Sequence, residues 1–194
     1  MSAFLGPIHY WLYNKIQLQE DLTTAILEKD SDLSARLDSL CGRVERRPLE
    51  EVIDSSNIHG WLQEQIMIAE HRFATAVTTL LANGTTDLEA LKSIAKAFGS
   101  TKPIQAEVAP DAFKALQDML LDGMPCDHVN QILTQDTEKI EWKQTTDLHS
   151  PHWEKIGGDS SNYYALRAAF VSGILKESGF VFAQDGANCL LYRA

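Results

Sequence analysis

Two thirteen-residue stretches repeat a histidine and a glutamate on the same frame. Residues 8–20 and 58–70 share I-H-x-W-L-x-x-x-I-x-x-x-E, fifty residues apart, with six identities in thirteen positions. A repeat of apolar residues alone needs only a core. A repeat that also carries His9 with Glu20, and His59 with Glu70, places paired polar groups on a core face. On a helical wheel His9, Leu12, Ile16 and Glu20 share one sector, as do His59, Leu62, Ile66 and Glu70. Within one copy the histidine and glutamate stand about 16 Å apart at helical rise, so pairing must occur between copies.

Helix direction decides the chemistry. Antiparallel crossing brings His9 to Glu70 and His59 to Glu20, pairs that satisfy each other's hydrogen bonds and raise the histidine pKa. Parallel crossing brings His9 toward His59, the start of a metal site or of axial haem ligation. His9, His59, Glu20 and Glu70 are therefore candidate metal or cofactor residues. The known bundle metal signatures are missing: no histidine has a glutamate three positions before it, and no His-x-x-x-His occurs. Glu64, Met67 and His71 line a neighbouring face that reads as solvated.

A second constellation is Cys126-Asp-His128 followed by His149-Ser-Pro-His152. Read as zinc ligands, the second pair has reasonable spacing and the first is tight. Read as catalysis, Cys126 is a nucleophile near a helix start, with His128, His149 or His152 as its base. Gly157-Gly158 before a capped helix is explained by a turn. No P-loop, dinucleotide fingerprint, nucleophile elbow or H-E-x-x-H motif is present.

The elements that must position these residues are mostly helical. Helices are expected over Pro7–Lys29, from Asp30 to Glu45, over Ile58–Ala82 and from the Thr86-x-x-Glu89 capping box to Gly99. The 7–45 and 57–99 segments read as two copies of one helical hairpin, which pair into a bundle. Residues 100–110, with two prolines, read as a linker within an otherwise continuous chain. Beyond it, 111–194 is expected to hold helices at Asp111–Leu121, Asp127–Gln144 and Tyr163–Glu177. A hairpin of Phe180–Gln184 and Asn188–Tyr192 around Asp185-Gly186 should close the chain. The fold class expected is mainly α with a small C-terminal β-hairpin packed on the helices.

Composition bounds the function. The chain has 194 residues, 44% hydrophobic, with a formal net charge of −10. That charge argues against nucleic acid and against an anionic membrane surface. No apolar run reaches the roughly 20 residues that span a bilayer. The N-terminus lacks the features of a signal peptide, and Ser2 excludes myristoylation. Cys41, Cys126 and Cys189, without a C-x-x-C, read as reduced thiols of a cytoplasmic protein. The expectation is a helical-bundle ligand-binding, sensor or carrier protein, with metal, haem or a small molecule between the repeat helices. Its alternatives are an interaction module without chemistry and a Cys/His-dependent enzyme. A homodimer is compatible with either.

Overall fold

The computed structural model describes residues 4–194. The N-terminal readings on signal peptide and Ser2 rest on residues that lie partly outside them. The described residues form eight α-helices and one four-stranded antiparallel sheet. The helices are α1 (Pro7–Leu27), α2 (Ser31–Cys41), α3 (Leu49–Val52), α4 (Ile58–Ala82), α5 (Leu88–Ser100), α6 (Ala109–Gln117), α7 (Ser150–Glu154) and α8 (Ser161–Ile174). The strands are β1 (Asn130–Gln135), β2 (Lys139–Gln144), β3 (Phe180–Asp185) and β4 (Asn188–Arg193), in spatial order β1-β2-β4-β3. No described helix is long and apolar enough to cross a membrane.

Local chemistry sets most of these boundaries. Proline opens α1, where a missing N–H costs nothing. Asp30 caps α2 by accepting from Leu33 N–H, and Asn57 caps α4 by accepting from Gly60 N–H. The cap of α5 is Asp87, which accepts from Ala90 N–H, so the helix starts one residue beyond the expected Thr86 box. At the other end of α2, Gly42 takes a φ of 85°, a left-handed value that suits glycine.

The expected helix over 127–144 is instead the β1–β2 hairpin. Its apolar residues do not share a helical face: Val129 and Ile140 are buried, whereas Leu133 is 52% exposed. The residues that bury alternate, with Ile140, Trp142 and Gln144 facing inward along β2. The Asp136 carboxylate accepts from the backbone N–H groups of Glu138 and Lys139 and turns the chain back on itself. β1 carries a bulge between Ile132 and Thr134. The C-terminal hairpin forms as expected and joins the sheet through the β2–β4 ladder.

α1 and α4 lie side by side and run in the same direction. His9 faces His59 with ring centroids 5.6 Å apart, and Tyr13 faces Trp61 at 5.9 Å. At the other end Gln19 reaches Glu70, and Arg72 reaches Glu20. A core of Leu12, Ile16, Leu62 and Ile66 fills the space near the helix starts. A larger core gathers Ile26, Phe73, Val77, Leu91, Leu166 and Val171 with Ile140, Trp142 and Leu191 of the sheet. Trp142 meets Phe113 of α6 edge-on at 4.8 Å and stacks with Phe182 of β3 at 5.8 Å, which fastens the sheet to the helices.

α5 and α8 touch through backbone. A Cβ on Gly173 would stand 2.1 Å from Lys96 O, and one on Gly99 would stand 2.2 Å from Phe170 O. Only glycine fits at these two positions, because any side chain would force the helices apart. The irregular segment between α5 and α6 is held by Ile104, whose N–H bonds Ile174 O.

Candidate ligand-binding site

Lys15 lies on the buried face of α1, between Leu12 and Ile16, where the helical period calls for an apolar residue. Its side chain is almost entirely enclosed, at 3% exposure. The ammonium rests 3.9 Å from the ring centroid of Trp11, one turn earlier. It makes no hydrogen bond among the described residues. Burial drives its pKa down, against the pull of Asp122, and the result is about 8.

This ammonium opens on a cavity of about 230 Å³ lined by Trp11, Lys15, Gln117, Asp122, Met124 and Asn130. The wall opposite α1 is the loop between α6 and β1. Gly123 supplies a left-handed turn at φ 67°, and the Asp127 carboxylate closes a short helical turn by accepting from Met124 N–H at 2.8 Å. Asn130 Nδ2 donates to Gln117 Oε1 at 2.7 Å and to Asp122 Oδ2 at 3.3 Å. The carboxylate fixes which way the Asn130 amide points, and Asn130 fixes Gln117 in turn. Two polar atoms are then left over: Gln117 Nε2 and Asn130 Oδ1 are buried and have no partner. The residues that line this cavity thus include one cation without a hydrogen bond and two amides that each keep one unpaired atom.

Behind the cavity runs a buried charged network. Asp122 accepts from both terminal nitrogens of Arg167, with Nη2 at 3.0 Å from Oδ2. Arg167 also donates to the Tyr163 hydroxyl at 3.2 Å. His149 places Nδ1 3.1 Å from Glu70 Oε2 and Nε2 3.5 Å from Asp122 Oδ1, so each ring nitrogen has a carboxylate. Its ring stacks on Tyr163 with centroids 3.8 Å apart. Burial opposes the imidazolium, but Glu70 and Asp122 outweigh it, and the His149 pKa is pushed up to about 9. Burial likewise works against the Asp122 carboxylate, yet Arg167 and His149 hold it well below the usual carboxylate range. Gln19 donates to Glu70 and completes the chain. A separate cluster joins Arg72 to Glu20, Asp38 and the Gly42 carbonyl.

The residues expected to carry chemistry fall in several places. Glu20 pairs with Arg72 and Glu70 with His149, so neither meets a repeat histidine. His9 and His59 do face each other, beside Cys126 and Met124, around an apolar cavity of about 120 Å³. His9 Nδ1 accepts from Gly6 N–H at 2.9 Å, while its Nε2 is buried and unpartnered. A neutral ring whose Nδ1 accepts carries its proton on Nε2, which makes that atom a donor rather than a metal ligand. Among the described residues no group of three or more His, Cys, Asp or Glu is placed to hold a metal ion.

The Cys126–His128–His149–His152 constellation is dispersed. Cys126 lines the His9–His59 cavity, and His128 sits on the rim of the Lys15 cavity. His149 is the centre of the buried network, and His152 lines a surface groove with Cys41, Glu64, Met67 and His71. The residues that sequence reasoning passed over are Lys15, Gln117, Asp122, Asn130 and Arg167. Lys15 carried a signal, a lone cation on an apolar stripe; the others did not. Comparison of the chain with protein-family models, with curated proteins and with solved structures finds no match.

Proposed function

We propose that the protein binds a small organic ligand in the Lys15 cavity, as a carrier or sensor. The observation that carries this reading is that Lys15 shares one cavity with Gln117 and Asn130, whose Nε2 and Oδ1 are buried and have no partner. Leaving a buried donor or acceptor unsatisfied costs about 1–3 kcal/mol, so a ligand that pairs Gln117 Nε2 and Asn130 Oδ1 gains that much from completing them. The donor and acceptor set complements a group that has both a carbonyl oxygen and an N–H, as an amide, urea, lactam or imide does. Trp11 offers an aromatic wall beside them.

In this reading α1–α2 and α4–α5 are two copies of one helical hairpin within a bundle, a view supported by the parallel contact of His9 with His59. The repeat then builds the frame, and Lys15 is where the first copy departs from it; the second copy has Gln65 at that place. The His9 tautomer argues for a ligand without a metal.

The test is a ligand-observed NMR screen of small amides, lactams, ureas and imides against the full chain, with alkanes and alkyl alcohols of equal size as controls. Amide-type fragments should bind, and binding should weaken at least tenfold in Gln117→Met and in Lys15→Met. Fragments that bind both variants as tightly as the wild type, or a screen in which amides do no better than alcohols, would refute the assignment.

A further inference from the structure

We propose that Lys15 is a Schiff-base-forming amine, and that the cavity takes a carbonyl compound which it holds covalently and reversibly. This rests on the reading of the cavity as a ligand site and deepens it by naming the reactive group. Four features of the geometry carry it. Among the described residues Lys15 is the only lysine that lines this cavity, and its amine has no hydrogen-bond partner there to be displaced. Its stem is held by the packed face of α1, so its position is fixed before a ligand arrives. The Asp122 carboxylate lines the same cavity, and Arg167, His149 and Asn130 hold it in place as an anion. Gln117, whose Nε2 has no partner, lines the same cavity.

The chemistry balances without any further reagent. The neutral Nζ adds to the carbonyl carbon, and the carbonyl oxygen becomes the hydroxyl of a hemiaminal. One amine hydrogen has passed to that hydroxyl, which leaves as water with the second, and a C=N bond joins Nζ to the ligand. A proton from solvent then gives the iminium cation, which Asp122 stabilises as a neighbouring fixed charge. Hydrolysis runs the same steps backwards and releases the carbonyl compound.

Four charged or titratable groups face the amine: Asp122 from the loop, Arg167 from α8, Asp118 after α6 and His128 on the rim. Burial, with Arg167 acting in the same direction, outweighs the two aspartates, and a lysine with a pKa near 8 is far richer in the neutral amine at pH 7.4 than an ordinary lysine.

The experiment treats the full chain at pH 7.4 with butanal and cyanoborohydride, which reduces the imine to a stable alkylamine, and maps the adducts by peptide mass spectrometry. Lys15 should be alkylated on the order of tenfold faster than the exposed Lys29 and Lys176. Its rate should level off near pH 8, whereas theirs should keep rising. Lys15→Arg should lose the fast adduct and leave the others unchanged. Alkylation of Lys15 no faster than that of the exposed lysines, or a profile that rises through pH 10 like theirs, overturns the proposal. If amide fragments still bind in the NMR screen while Lys15 stays unalkylated, the covalent step fails alone. If neither is seen, the ligand site fails with it.

Discussion

Replacing Lys15 by methionine should make the protein more stable at neutral pH. Methionine keeps the unbranched stem that packs along α1 and removes only the charge. The shift of the Lys15 pKa from 10.5 to about 8 corresponds to roughly 3 kcal/mol of penalty on the charged form. The lost attraction to the Trp11 ring subtracts about 0.5–1 kcal/mol. The net gain expected is about 2 kcal/mol, or roughly 4–8 °C in Tm for a chain of this size. The pH dependence identifies the cause. Between pH 8 and 10.5 the unfolded chain binds a proton at Lys15 that the folded chain does not, so wild-type stability rises there with pH. The advantage of Lys15→Met is therefore full below pH 8 and gone by about pH 10.5. Urea melts of both proteins at pH 6.5, 7.5, 9 and 10 measure it, and titration of other groups largely cancels in the difference. A variant that is destabilised at pH 7, or a difference that does not change with pH, would refute the idea of a strained ammonium.

Other expectations concern the charged network and the helix contact. His149 has a raised pKa, so its contribution is complete below pH 6.5 and is lost as pH rises to about 9; urea melts should show up to about 3 kcal/mol falling away across that window. Glu70→Ala should cost about 1–3 kcal/mol near pH 6, because Nδ1 of a buried imidazolium loses its acceptor while Asp122 still faces Nε2, with a much smaller cost above pH 9. Arg72→Met leaves Glu20 buried without its cation and should cost about 3–5 kcal/mol by denaturant melts. Gly173→Ala drives a methyl into Lys96 O and should cost at least about 1–3 kcal/mol, whereas Gly157→Ala meets no atom within 4 Å and should be limited to its backbone strain.

The helices were legible because their signals are local. Pro7, Asp30, Asn57 and the Asn83-Gly84 stop set α1, α2 and α4 within a few residues of where they lie. The β1–β2 hairpin was not legible as a hairpin. β1 has almost no buried face, so it lacks the alternation that marks a strand, and its turn depends on one Asx carboxylate rather than on an Asn-Gly or Asp-Gly pair. The repeated frame put one histidine on each of two helices, and the side-by-side helices bring His9 and His59 together. It could not show where the glutamates would find partners. Arg72 and His149 lie outside the repeated frame, and His149 is seventy-nine residues from Glu70. The Lys15 cavity is assembled from α1, α6 and the loop before β1, so no single stretch of sequence contains its pattern.

The shared direction of α1 and α4 has a consequence for how the chain must fold. Antiparallel helices can close from the turn that joins them. Here residues 28–57 must first carry the chain back along the whole of α1, a path of about 30 Å that needs at least about ten extended residues. The pairing of α1 with α4 is thus a non-local event, and its loop entropy is spent before any contact offsets it. A chain in which 28–57 is cut to a tight turn cannot regain the His9–His59 contact and would have to place α4 the other way up.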